Sequence, residues 1–369
     1  MKSTPFFLLL STLICVSASE THFWRAGHLV TGDQFHFRMQ GTNQITGANM
    51  IDIDPHNGGT RVLPEAVGFS SGLAFSPNGD LFVTDGSDLY VTNGRRGQIV
   101  VMRNTNNFFE PISITAMERP LGLALATNGD LYTTVQQPFP AVLRIKQDTG
   151  EATVVSSGLP LYGPIRIAIS RNGNLFVCNR ETPDEVTSIE TNDIIQIDPN
   201  TGAQTIVTAG GLLQDAGILA MDENDNILVA DQLSGLIRVN SVTGEQTLLT
   251  SKPALGVTPD GRGGAYFTFS EHSEGRVYHY IRSNGSVRTV SARWALWNPT
   301  DITVAPSLQT LLSALVPCES LWRSRGDYVF TVVKTIGRMT RQGIITPAEG
   351  RAALAAALTS NCGRGRLVR

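Results

Sequence analysis

The chain has 369 residues, 41% of them hydrophobic and 17% charged, with a formal charge of −3. That composition excludes a disordered, collagenous or disulfide-stapled miniature chain and fits one large globular domain with an appendix. Residues 307–369 hold nine Lys and Arg against Glu319, Asp327 and Glu349, so a basic tail follows an acidic body, which argues against nucleic acid as the main partner.

Lys2 precedes an apolar run over residues 6–16, and Val16-Ser17-Ala18 fits a small-x-small cleavage signal. The run is too short to cross a bilayer, so residues 1–18 read as a secretory signal peptide rather than an anchor. A secreted, periplasmic or extracellular monomer without stable membrane insertion is expected. Cys15 falls in the signal, which leaves Cys178, Cys318 and Cys362. Cys318 and Cys362 flank the helical tail, and export makes a disulfide between them the favoured pairing. Cys178 reads as a small buried hydrophobe within a strand.

Strand signals open at His28-Leu29-Val30-Thr31-Gly32-Asp33-Gln34. They continue in Ile51-Asp52-Ile53-Asp54-Pro55-His56-Asn57-Gly58-Gly59-Thr60-Arg61-Val62, a hairpin with no inner partner. An inner hairpin then recurs. Gly72-Leu73-Ala74-Phe75-Ser76-Pro77-Asn78-Gly79-Asp80-Leu81-Phe82-Val83-Thr84-Asp85 returns from Gly122, from Arg166, from Gly217 and from Leu255. The matching positions Asp80, Asp130, Asn174 and Asn226 step by 50, 44 and 52. An outer hairpin recurs at Thr149-Gly150, Thr201-Gly202 and Thr243-Gly244, and more weakly at Asn284-Gly285. One four-stranded sheet of this length cannot bury both its faces and needs neighbours.

The missing inner strand stands at the far end, Thr300-Asp301-Ile302-Thr303-Val304-Ala305-Pro306. Five whole sheets and one shared between the chain ends predict an all-β six-bladed β-propeller over residues 19–306, closed without a free edge. Beyond Pro306 the period becomes helical, at Leu308, Leu311, Leu312 and Leu315, then at Val329, Val332, Val333, Ile336 and Met339, with Gly343 as a stop. Thr346-Pro347-Ala348-Glu349 is a capping box that opens a third helix reaching about Ser360. Residues 307–369 therefore read as a helical bundle.

The strand repeats resemble NHL-type repeats of exported propellers, and more distantly the six-bladed gluconolactonase, paraoxonase and streptogramin-lyase group. The likeness covers roughly residues 27–306. It implies a central funnel and, from the lactonase relatives, a divalent cation held at the starts of inner strands. Their Ser-Asn-Gly-Leu stretch is similar to Ser70-Ser71-Gly72-Leu73, with Ser71 in place of the Asn ligand. Their Pro-Asp-Gly stretch is similar to Gln214-Asp215-Ala216-Gly217, which keeps the carboxylate, and their early Glu ligand has no counterpart.

In such a ring the starts of inner strands and the ends of second strands share one face. That face would collect Arg119, Arg166, Asp215 and Asp301 with Asp33, Asp85, Asn179, Arg180, Asp231, Glu271 and His272. One reading has Asp215, Asp231, Asp301 and Asn179 holding Ca²⁺ or another divalent cation that activates water against a lactone or ester. The other has Asp33, Asp85, Asn179 and Asp231 capping a turn that recurs because the sheet recurs. Glu271 and His272 break the repeat and are the acid/base candidates for a lyase. A binding role is the first functional expectation, with Arg119, Arg166, Arg180, Asp33 and Asp85 meeting a protein or small-molecule ligand; a lactonase or lyase is the alternative.

Overall fold

The computed structural model describes residues 24–40, 43–67, 69–86, 97–106, 108–112, 117–180, 192–271, 274–292 and 296–363; the signal segment lies outside them. In chain order, β1 (Leu29–Gln40), β2 (Asn43–Ile53) and β3 (Thr60–Val67) begin the first sheet. The second holds β4 (Phe69–Phe75), β5 (Leu81–Gly86), β6 (Gln98–Met102) and β7 (Phe109–Pro111), and the third β8 (Glu118–Leu125), β9 (Leu131–Gln137), β10 (Ala141–Ile145) and β11 (Ala152–Ser157). The fourth holds β12 (Pro164–Ile169), β13 (Leu175–Arg180), β14 (Asn192–Ile197) and β15 (Gln204–Ala209), and the fifth β16 (Ala216–Met221), β17 (Ile227–Asp231), β18 (Gly235–Val239) and β19 (Gln246–Thr250). The sixth holds β20 (Val257–Pro259), β21 (Ala265–Glu271), β22 (Glu274–Ile281) and β23 (Ser286–Ala292).

The last strand, β24 (Pro299–Val304), then pairs antiparallel with β1, Leu29 opposite Val304 and Thr31 opposite Ile302, and becomes the innermost strand of the first sheet. Each sheet has four strands, and the inner strands touch in the cyclic order β24, β4, β8, β12, β16, β20 and back to β24. This is a six-bladed β-propeller closed by both chain ends. Apolar side chains at alternate strand positions fill the spaces between blades: Phe82, Ile99 and Leu131 between the second and third, and Phe267, Leu228 and Leu236 between the fifth and sixth. Closure matters because an open ring would leave these faces wet along one edge.

Three helices follow: α1 (Leu308–Leu315), α2 (Arg325–Arg341) and α3 (Pro347–Thr359). Ser307 and Ser324 cap the first two, Gly343 ends the second at a φ of +71°, and Thr346 with Glu349 forms the capping box of the third. Cys318 and Cys362 are joined in a disulfide, Cα atoms 4.9 Å apart, which ties the segment before α2 to the end of α3.

The helices do not form a core of their own. Leu311, Val332, Ile336, Met339 and Leu354 share one cluster with Trp24, Val30, Met50, Leu81 and Met102 of the first two blades. Trp24 is wholly buried, its ring edge-on to Phe75 at 5.0 Å. Arg338 and Gln342 donate to the side-chain and backbone oxygens of Asn104, and Ala26 N–H donates to the Ile344 carbonyl. Trp24, Leu311 and Asn104 meet at the 76–80 turn and the β6–β7 turn, so the tail covers the face opposite the starts of the inner strands.

Candidate functional site

Every inner strand pairs with the second strand of its blade in a common register, so one hub position can be followed around the ring. Opposite the fourth residue of the second strand stand Gly72 by Thr84, Gly122 by Thr134, Arg166 by Cys178, Ile218 by Ala230 and Gly256 by Thr268. In the shared blade Asp301 takes this place, beside Gly32. All three glycines are required by close approach, Gly256 against the Thr300 carbonyl. A Cβ on Gly72 would lie 2.7 Å from the Leu121 carbonyl oxygen, and one on Gly122 would lie 2.7 Å from Arg166 Cα.

The second strands supply a polar clasp that the repeats contain and the expectations above missed. Thr134 Oγ1 accepts from Gly122 N–H at 2.8 Å and donates to the Ile165 carbonyl of the next blade at 2.9 Å. Thr84 links Gly72 N–H to the Leu121 carbonyl, and Thr268 links Gly256 N–H to the Thr300 carbonyl, in the same way. In the fourth blade Cys178 Sγ takes the donor's part toward the Ala216 carbonyl at 3.4 Å. Burial pushes its thiol up to about 12, so the group is an inert donor there. The signal was a hydroxyl or thiol at one fixed position of successive repeats.

Arg166 and Asp301 occupy the same hub position in the fourth and first blades, which stand opposite each other. Both are buried, Arg166 with 8% of its surface exposed. Asp301 accepts from Leu73 N–H at 3.0 Å and from its neighbour Ile302 N–H at 2.8 Å. Burial raises its carboxyl to about 6, and the Arg166 charge pulls the other way. Desolvation lowers the Arg166 guanidinium, which Asp301 partly offsets. Arg166 donates from Nη1 to the Ile165 carbonyl at 3.2 Å, and its buried Nε has no partner. Beside it opens a cavity of about 220 Å³ lined by Ile165, Arg166, Arg180, Gly217, Ile218, Gln232, Leu255 and Thr300. Arg180 is in an ion pair with Asp215.

The side chains expected to share a cation are not brought to one centre. Asp231 Oδ2 accepts from Gln214 and Asp215 N–H and Oδ1 from Leu233 and Ser234 N–H, at 2.7–2.9 Å, so four backbone amides hold both oxygens. Asn179 Oδ1 accepts from Tyr162 and Gly163 N–H and its amide donates to the Pro160 carbonyl. Asp33 accepts from Trp297 and Asn298 N–H in the same manner. These three hold the loop leading into an inner strand, with Asp231 also capping its own turn. The reason is the repeat itself: a buried loop N–H needs an acceptor in each blade. Asp85 accepts from Gln98 Nε2 at 3.2 Å. Asp215 is engaged with Arg180, and among the described residues no three His, Cys, Asp or Glu side chains gather around a point.

His272 lies outside the described residues, as do the side chains of Glu271 and Arg119. Ser71 is buried and donates to the Leu121 carbonyl at 3.1 Å.

No protein-family model and no curated protein matches the chain. Solved structures do. A chain from the crystal structure of a nidogen/laminin complex superposes with a TM-score of 0.60 at 16% identity, covering 76% of this chain and 98% of that one. A structural-genomics protein of unknown function from Bacteroides thetaiotaomicron superposes at 0.49 with 12% identity, over 79% of this chain and 94% of that one. The first likeness and the closed ring of six sheets agree on the fold, a six-bladed β-propeller with a helical tail.

Proposed function

We propose that the protein is an exported propeller that holds a protein or small-molecule ligand on the funnel face, without catalysing a reaction. The observation that carries this reading is the cavity beside Arg166, a buried cation with an unpartnered donor on the face the helical tail leaves uncovered. Export rests on the segment up to Ala18 and agrees with the Cys318–Cys362 disulfide, a bond typical of oxidising compartments. The likeness to a chain solved in a nidogen/laminin complex is consistent with a propeller that works by association. Fold alone does not decide between binding and catalysis, so the reading rests on the site.

A photo-crosslinking residue placed at the exposed funnel position Gln232 tests it against one at Lys334, exposed on α2. Adducts from the protein's native extracellular medium are expected at Gln232 and not at Lys334. Adducts confined to Lys334 would sink the proposal. So would steady hydrolysis of a lactone or ester panel together with a stoichiometric divalent ion in elemental analysis, the outcome a gluconolactonase-like enzyme requires.

A further inference from the structure

We infer that the hub cavity is a receptor for a small organic monocarboxylate, its acid group on Arg166 and its apolar body against Ile165, Ile218 and Leu255. The inference rests on the reading of the funnel face as the binding face and names the ligand class. A guanidinium offers five N–H donors in a rigid fork that matches a planar carboxylate. Arg166 spends one on the Ile165 carbonyl, and its buried Nε has no partner. Asp301 neutralises the charge from across the hub, but its oxygens are turned to Leu73 and Ile302 N–H and make no hydrogen bond to the fork. Charge is therefore balanced while hydrogen-bonding capacity is not.

Size and lining narrow the class. Cavities for drug-sized ligands run from about 300 Å³ upward, and this one is about 220 Å³, so the ligand is small. Its wall joins one incompletely bonded cation to Ile165, Ile218 and Leu255, which suits one acid group on a compact apolar body rather than an inorganic anion. The second cation on the wall, Arg180, is already ion-paired with Asp215, which disfavours a second acid group. Gly217 supplies an independent sign. A Cβ on Gly217, one residue before the hub position, would meet nothing nearer than the Leu255 carbonyl oxygen at 3.8 Å. Packing does not demand glycine there, and the room it leaves belongs to the cavity.

The full mature chain, labelled at isoleucine methyls, is titrated with benzoate, benzamide, benzyl alcohol and inorganic phosphate. Benzoate is expected to shift the Ile165 and Ile218 methyls saturably, with benzamide and benzyl alcohol at least about tenfold weaker because their bonds to the fork are not charge-assisted, and phosphate at least about tenfold weaker because it has no apolar body to set against Ile165, Ile218 and Leu255. Arg166→Lys keeps the charge, loses the fork and should weaken benzoate by about tenfold or more. Gly217→Leu fills the cavity while leaving the Arg166 guanidinium in the chain and should abolish the response, with the fold checked by its melting temperature, which keeps the test sound if Arg166→Lys misfolds. Equal shifts from benzamide would overturn the carboxylate while leaving a ligand-binding funnel. Phosphate binding as tightly as benzoate would overturn the organic acid. Benzoate shifts only at distant isoleucines, or none from any probe, would overturn the inference, and the Gln232 crosslinks then decide the wider reading separately.

Discussion

On the face covered by the tail, Trp24, Leu311, Ile336 and Met339 are shut away from water with Val30, Leu81 and Met102 of the first two blades. On the funnel face the hub is occupied instead by Arg166 and Asp301, held by backbone bonds beside a cavity. The first region completes a hydrophobic core that the blades alone leave open. The second keeps charge out of water with one donor unpaired, a costly arrangement that adds nothing to packing. The two faces therefore differ in kind: one is closed by apolar packing, the other holds a buried cation with hydrogen-bonding capacity left over.

The largest expected effect is on the covered face. Trp24→Ala should cost about 3–5 kcal/mol of unfolding free energy in a denaturant titration, the range for deleting a large buried aromatic. A loss below 1 kcal/mol would mean that the tail does not need this ring to dock. Replacing Cys318 and Cys362 by Ser opens a cross-link of sequence separation 44, and about 2–4 kcal/mol should be lost, visible as a lower melting temperature. Blade contacts on the funnel side should be untouched, so the Ile165 and Ile218 methyl positions are expected to stay where they are.

Two glycine substitutions at neighbouring inner-strand positions sharpen the contrast within the hub. Gly122→Ala drives a Cβ onto the backbone of Arg166 and Ile167 and should destabilise by about 1–3 kcal/mol, the cost of overpacking. Gly217→Ala makes only ordinary van der Waals contacts, with the Leu255 carbonyl oxygen at 3.8 Å and that of Ala230 at 3.9 Å, and should stay within about 0.5 kcal/mol of the parent. Equal effects would contradict the difference in packing on which the cavity argument stands.

The smallest effect is a pH dependence. The Asp301 carboxyl lies near 6 in the folded chain against an ordinary 3.8, so the folded state holds this proton more tightly than the unfolded one. Its contribution to stability is therefore full below 3.8, declines as pH rises from 3.8 to about 6, and is lost above. Asp301→Asn removes that slope. The melting temperature of the parent minus that of the variant should fall as pH rises from 3.8 to about 6 and level off above; a flat difference would place Asp301 in contact with water.

The architecture is largely legible in the sequence, because strand period, turn chemistry and capping are local. Spacings of 50, 44 and 52 residues between Asp80, Asp130, Asn174 and Asn226 specify sheet-sized units. The orphan hairpin at Ile51 and the orphan strand at Thr300 specify that the ends meet, as β1 and β24 do. The Thr346–Glu349 capping box and Gly343 likewise appear where the residues call for them.

The site was legible only as a face. Arg166, Arg180, Asp215 and Asp301 could be assigned to the funnel, yet side-chain partners there depend on backbone positions set by other blades. Asn179 and Asp231 look like ligands in the chain and Asp33 like a funnel contact, yet all three hold loop amides, which lie 16 residues away for Asn179 and Asp231, and 264 for Asp33 with Trp297. The sequence by itself determined the number of blades, their order and the helical tail. Only the tertiary structure decided that Arg166 and Asp301 face each other at one register position, that Trp24 joins the tail to the ring, and that Gly217 stands beside empty space. Closing a ring brings distant segments together at distances that no local pattern encodes.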